Sequence, residues 1–332
     1  MLRTLVATLA VACLTLAGCS GAGVPPDTAP GGATITHRYG TTEVPADPQR
    51  VVTVGLTDHD TVLALGVTPV ALTDWFGDQP NGVWPWAQEA LGDATPVVLD
   101  ASAAQLEFEQ IAAAAPDLIL AVNSGLTQAQ YDTLTAIAPT VAQSAEHVDY
   151  GTPWQEQTRT IGVALGRAAQ ADELVADVEA DFAAAREANP QFDGALGVIG
   201  LTGTAGNYYP YGPEDARARF LTALGFVQDP QIAELAGDSF FATISAERFD
   251  LLADADVLVW IAATEAERAA LQAEPAYAAL PLVQQGRDLF PAYDPVGAAL
   301  SYNNVLSLPF AIDAMVPQLR AAIDGDPATR VP

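Results

Sequence analysis

Residues 168–189 run without a glycine or a proline, and Leu174, Val175, Val178 and Phe182 recur there on one stripe at helical spacing. At 1.5 Å of rise per residue this reads as a helix roughly 33 Å long, about the width of a small domain. A rod of that length in mid-chain demands a folded unit at each end and sets the distance between them. Gly166 closes a shorter helical segment that starts near Trp154, so residues 151–190 read as one helical connector. The chain has 332 residues, half of them apolar, which is enough to bury a core on either side of the rod.

Both flanks repeat one pattern. Before the connector, residues 51–55 form a short apolar strand ending at Gly55, and Asp58 can cap a helix that closes at Gly66. Further strands read at 67–72, 95–99, 117–122 and 139–143, with helices at 108–115 and 128–137. After the connector, strands read at 195–201, 226–228 and 257–262. Helices read at 215–224, 245–253 and over most of 265–280. The tail at 301–323 reads as helix interrupted at Pro309 and Pro317. Strand–helix alternation of this kind builds parallel sheets covered by helices, so the expected fold is two Rossmann-like α/β lobes, 34–150 and 191–332, joined by a single long rigid helix.

The first residues stand outside this scheme. Arg3 gives a short positive start, and residues 5–17 are an apolar run too short to span a bilayer. The run ends in Leu16-Ala17-Gly18-Cys19, which resembles the lipobox of bacterial lipoproteins, where the signal peptide is cut before a cysteine that carries the lipid. On that reading residues 1–18 are a signal peptide, Cys19 is the lipidated terminus, and 19–33, rich in Gly and Pro, is a flexible tether. Cys13 leaves with the signal, so the mature chain has no thiol pair to form a disulfide.

Charge and composition narrow the function. There are 41 Asp and Glu against 13 basic residues, all arginine, for a net charge of −28. Such a chain repels phosphate backbones, which argues against nucleic acid as a partner. Without lysine there is no P-loop lysine, Schiff base or pyridoxal-phosphate anchor. The three histidines, His37, His59 and His147, sit at no metal-site spacing, so any metal has to arrive inside an organic chelator. Gly200, Gly203 and Gly206 follow a strand at the wrong spacing for a dinucleotide loop, and no G-x-S-x-G elbow is present.

The ordered segments of the chain carry a resemblance. They are Pro48-Gln49-Arg50-Val51-Val52; Leu63-Ala64-Leu65-Gly66-Val67-Thr68-Pro69-Val70; Phe108-Glu109-Gln110-Ile111 with Pro116-Asp117-Leu118-Ile119-Leu120; Ile161-Gly162-Val163-Ala164-Leu165-Gly166; and Ile244-Ser245-Ala246-Glu247-Arg248 with Asp254-Ala255-Asp256-Val257-Leu258. In this order and spacing, from about residue 48 to 320, the chain resembles the iron–siderophore class of ABC-transporter solute-binding proteins, which also includes cobalamin and haem binders.

The resemblance implies the helical-backbone periplasmic binding protein fold and a binding role rather than an enzymatic one. It implies capture of a ferric siderophore between the lobes, with no cofactor other than the transported chelate, and closure limited by the stiff helix. It also implies delivery to a permease dimer from the outer face of the cell membrane, where the lipid on Cys19 holds the protein. By position, Glu109 and Glu247 match the glutamates with which each lobe of the family docks onto permease arginines. The same residues read as ordinary acids at helix starts, where the macrodipole favours them. Haem, cobalamin or another metal–organic chelate stands as the alternative ligand. An extracytoplasmic enzyme or a non-transport envelope scaffold stands as the alternative role.

A bulky chelate calls for flat aromatic faces and arginines. Trp75 and Phe76 follow the second strand, and Trp84 and Trp86 lie just beyond, with one of that pair expected in the core. The stretch Gly206-Asn207-Tyr208-Tyr209-Pro210-Tyr211-Gly212 reads as an aromatic loop, followed by Arg217 and Arg219. Arg219 can equally pair with a surface acid. Trp260, within an apolar strand, reads as buried structure, and Tyr293 and Tyr302 are further aromatics near the tail. The expected ligand contacts are Trp75, Tyr208, Tyr209, Tyr211, Arg217, Arg219 and Tyr302.

Overall fold

The computed structural model describes residues 32–100, 106–203 and 206–329. The signal peptide, Cys19 and most of the tether therefore lie outside the described residues. A short antiparallel hairpin, β1 (Thr34–His37) and β2 (Gly40–Glu43), comes first and buries Ile35 and Val44 against the first lobe.

That lobe is a parallel sheet of β3 (Val51–Thr53), β4 (Ala71–Asp74), β5 (Val97–Asp100), β6 (Leu118–Leu120) and β7 (Thr140–Val141), in the order β5-β4-β3-β6-β7. Successive strand residues point to opposite faces, and the burial follows. Val51, Leu118 and Leu120 join one core with the helix Trp154–Ala164, whereas Val52 and Ile119 join the other with the helices Phe108–Ala113 and Gln128–Thr135. The strand order reverses between β3 and β6, so the loops after these two strands part and leave a crevice at their carboxyl ends.

The second lobe contains β8 (Gly197–Thr202), β9 (Asn207–Pro210), β10 (Ile244–Ser245), β11 (Val257–Ile261) and β12 (Asp288–Leu289), ordered β10-β9-β8-β11-β12. β8, β11 and β12 are parallel, but β9 and β10 pair antiparallel. The expected tyrosine loop is thus a strand: after Gly206, at φ +78°, the chain turns back along β8. The strand expected at 226–228 contributes only the single bridge between Leu196 and Val227. The helix expected at 245–253 is a 3-10 segment, Ala246–Leu252.

The rod is the 21-residue helix Ala168–Ala188. Its first turn belongs to the first lobe, where Ala171 packs beside Val62, Leu65 and Ile161. Gly162 permits this approach, because a Cβ there would lie 2.3 Å from that of Ala171. Val175, Val178, Phe182 and Ala185 then enter the core of the second lobe, against the tail helix.

The tail corrects the expected proline breaks. It consists of the helix Ala298–Tyr302, a turn at Asn303 in left-handed conformation (φ 45°), and a helix Ser307–Ile323 that passes through both prolines. Pro309 sits in the first turn, where backbone N–H groups have no helical partner to lose. Pro317 removes one donor, that to the carbonyl of the exposed Asp313.

Candidate functional site: a cleft between the lobes

The loops after β3 and β6, the strap at 150–157, the start of the helix Ala216–Ala223 and the tail at 301–308 enclose a cavity of about 410 Å³. A smaller cavity of about 200 Å³ adjoins it, inside the first lobe at the ends of β3 to β6.

One wall is aromatic. Trp75 leaves the end of β4 half-buried, with Phe76 edge-on at 4.8 Å and Tyr302 tilted at 5.7 Å between ring centres. Behind it Trp84 stacks on Trp86 at 5.3 Å and 2°, and Tyr302 meets both rings edge-on. Trp84 is buried, as expected of one of that pair, and Tyr302 is 1% exposed but still lines the cavity. Burial pushes the Tyr302 phenol well up, so it is a neutral hydroxyl at physiological pH.

Behind this wall lies a buried polar cluster on the helix Asp58–Ala64, which contacts Trp86 and Tyr302. Asp58 accepts hydrogen bonds from the backbone N–H groups of Val122 (2.7 Å) and Asn123 (2.9 Å), holding the loops after β3 and β6 together. Burial nonetheless pushes its carboxyl up to about 6. Asp60 accepts from Trp86 Nε1 at 2.7 Å and from Asn304 Nδ2 at 2.9 Å. Asn304 also accepts from the N–H groups of Leu306 and Ser307, so a first-lobe carboxylate fixes the start of the tail helix. His59 is fully buried with its Nε2 3.4 Å from Asp60 Oδ1, and its edge meets Tyr302. Burial lowers its pKa against the pull of Asp60, which keeps the ring neutral.

A second wall is cationic but balanced, and it adjoins the first where Arg217 Nη1 donates to Ser301 Oγ at 3.4 Å. Arg217 makes a bidentate pair with Asp215, Nε to Oδ1 at 2.8 Å and Nη2 to Oδ2 at 2.7 Å, and lies 3.9 Å over the Tyr211 ring. Asp215 is held in turn as the cap of its helix, accepting from the Arg217 N–H. Burial alone would lower the Arg217 pKa, but the Asp215 carboxylate outweighs it and keeps the guanidinium charged. Arg219 spends its nitrogens on the carbonyls of Pro213 (3.0 Å) and Gly151 (2.6 Å) and on Glu214 (3.0 Å), so it ties the second lobe to the strap.

Of the expected contacts, the fold brings Trp75, Arg217, Arg219 and Tyr302 to one cavity. Tyr211 stands one layer back as the platform for Arg217. Tyr208 does not reach the cleft: it is 5% exposed and packs against Phe249 and Trp260, in the core facing away from the rod. Tyr209 points to the other side of β9, against Phe241. Strand alternation sends these neighbours to opposite faces, whereas a loop could have turned both toward a ligand.

Tyr150, Trp154, Asn123 and Gln157 line the cavity without having been singled out in the sequence. An aromatic between Asp149 and Gly151, just before the connector, was the available signal for the first of them. Glu109 and Glu247 are both exposed, in the first turns of the helix Phe108–Ala113 and of the 3-10 segment. Among the described residues no group of three or more His, Cys, Asp or Glu is arranged to hold a metal ion. No helix among them is long and apolar enough to cross a membrane.

Comparison with known proteins agrees with this architecture. Residues 51–287 match the family profile described as periplasmic binding protein. A periplasmic solute binding protein of Mycobacterium smegmatis is 37% identical, with a TM-score of 0.80 over 88% of this chain and 99% of that one. PiaA of Streptococcus pneumoniae, solved in complex with ferrichrome, is 29% identical, with a TM-score of 0.77 over 88% of this chain and 99% of that one. The probable siderophore-binding lipoprotein YfiY of Bacillus subtilis is 29% identical over 235 residues, 68% of each chain. The chain belongs to the periplasmic binding protein family.

Proposed function

We propose that this protein captures a ferric siderophore in the cleft between its lobes and delivers it to an ABC-transporter permease. The carrying observation is the cavity itself, which Trp75, Tyr302 and Arg217 line together. Rings and a guanidinium can contact a chelate's outer surface without competing for its iron. The ferrichrome-bound PiaA shares this fold at nearly full coverage. Iron is cargo here, arriving already chelated.

The charge balance favours a ligand class. Arg217 is paired with Asp215 and Arg219 with Glu214, so the cationic wall carries little net charge. That suits a neutral ferric trihydroxamate better than a trianionic ferric catecholate. The lipobox reading places the protein outside the cytoplasm, with Cys19 acylated and 19–33 as its tether, and the lipoprotein relative supports that reading. Glu109 and Glu247 are the permease-docking carboxylates of this reading, both exposed as docking requires.

Titration of the mature domain, followed by the fluorescence of its five tryptophans, tests the proposal. Ferric trihydroxamates should quench saturably, ferric catecholates, haem and cobalamin more weakly, and iron-free siderophores least. Absence of saturable quenching by every ferric siderophore would overturn it.

A further inference from the structure

The two cavities of the cleft share two lining residues, Leu56 and Tyr150. Leu56 is fixed by its N–H to the Asn123 carbonyl at 2.9 Å. Tyr150 is the larger of the two and stands unusually: its φ is +62°, in the left-handed region that a bulky residue rarely adopts. Such a conformation persists only where the surroundings hold it, and here they do on every side. Its N–H donates to the Ser124 carbonyl at 3.1 Å. Its predecessor Asp149 pairs with Arg38, and the carbonyl of its successor Gly151 accepts from Arg219 of the second lobe. Its ring lies against Gly125, where a Cβ would come within 2.7 Å of Cε2. The ring is therefore seated on a glycine, the backbone on either side of it is held from both lobes, and the residue remains 45% exposed.

From this geometry, and resting on the siderophore reading above, we infer that Tyr150 is a specificity-determining partition that closes the main cavity against the smaller one and so limits the size of the bound chelate. The chamber behind it has a mixed lining: Val54, Leu99, Ile111 and Leu126 offer apolar surface to an uncharged linear arm, whereas Asp100 and Glu107 would repel an anionic one. In the native protein the ring bars a chelate's side arm from that chamber. With the ring gone, the arm enters it.

The test uses one compact ferric trihydroxamate and its derivatives bearing progressively longer linear acyl chains, titrated against the native protein, Tyr150→Ala, Tyr150→Phe and Gly125→Ala. The native protein and Tyr150→Phe should lose affinity as the chain lengthens. Tyr150→Ala should reduce that loss by about tenfold or more at the longest chain. Gly125→Ala displaces the ring without removing it, and should shift selectivity the same way while thermal melting confirms that it folds. Crystal structures of unliganded Tyr150→Ala and native protein should show one continuous cavity and two separate ones.

Equal chain-length dependence in the native protein and Tyr150→Ala would overturn the partition, as would Tyr150→Phe behaving like Tyr150→Ala. Two separate cavities in the Tyr150→Ala crystal would overturn it without any ligand. Failure of the native protein to bind any chelate would instead overturn the siderophore reading and leave the crystallographic arm to decide the partition.

Discussion

The two lobes start from similar sequence patterns and build their halves of the cleft differently. The first lobe has a fully parallel sheet, and its contribution comes from strand ends: Leu56 after β3, Trp75 after β4, Asn123 after β6. The second lobe has two antiparallel strands beside its first parallel strand, and the chain after β8 folds back as β9 instead of entering a helix. Its contribution comes from a capped helix start, Asp215 to Phe220, and from the tail. A parallel sheet offers a ligand its carboxyl edge by topology alone. Where the topology departs from that, the wall has to be constructed from paired side chains, and here Asp215 and Arg217 supply it.

The largest expected effect breaks that constructed wall. Asp215→Ala strands a largely buried guanidinium and removes a helix cap, and should destabilise the protein by about 3–5 kcal/mol in urea or thermal unfolding. Chelate binding should weaken with it. A loss under about 1 kcal/mol would show that the pair is a solvated surface contact.

Next comes a pair of tyrosines that separates core from cleft. Tyr208→Ala and Tyr302→Ala each remove a ring at most 5% exposed and should each cost about 3–5 kcal/mol. Only Tyr302→Ala should also reduce chelate affinity measured at a temperature where both variants are folded. Equal losses of affinity would put β9 in the site after all.

A smaller effect sharpens the account of the buried polar cluster behind the aromatic wall. His59 and His37 have pKa values lowered by burial, so as pH falls through 6.5 the unfolded chain takes up protons before the native one does. Their contribution is complete above that value and is lost progressively as pH falls below it toward their lowered native values. Asp58 runs the other way: raised to about 6, its contribution is complete below 3.8 and lost as pH rises through about 6. His59→Leu should therefore show a smaller drop in Tm between pH 7 and pH 5 than the native protein, with His37 retaining part of it. An unchanged drop would assign the acid sensitivity elsewhere. The smallest effect on the isolated protein should come from Glu109→Arg with Glu247→Arg, which should leave Tm and chelate affinity unaltered while abolishing uptake in cells. Unchanged uptake would remove both residues from the docking surface.

Much of this was readable from the chain. The rod was legible because a long stretch without glycine or proline, bearing a 3.6-residue stripe, has few other ways to bury Val175, Val178 and Phe182. Trp75 and Arg217 were legible because they follow strand and cap signals that place them at element ends. Tyr208 was misplaced because glycines at either side of an aromatic stretch mark a hairpin as well as a loop, and only pairing with β8 and β10 decides between them. Tyr150 carried too little local signal. Its conformation is imposed by Arg38, Ser124 and Arg219, which are distant in sequence.

Sequence by itself thus determined the two α/β units, the rod between them and the excess of carboxylates without lysine. These follow from periodicity and composition, which are local. Tertiary structure alone decided which aromatics line the cleft, that both cleft arginines are paired with carboxylates, and that one tyrosine lines two cavities. Those outcomes depend on strand pairing and inter-lobe contacts, where the free energy of a side chain is set by neighbours that the linear order does not name.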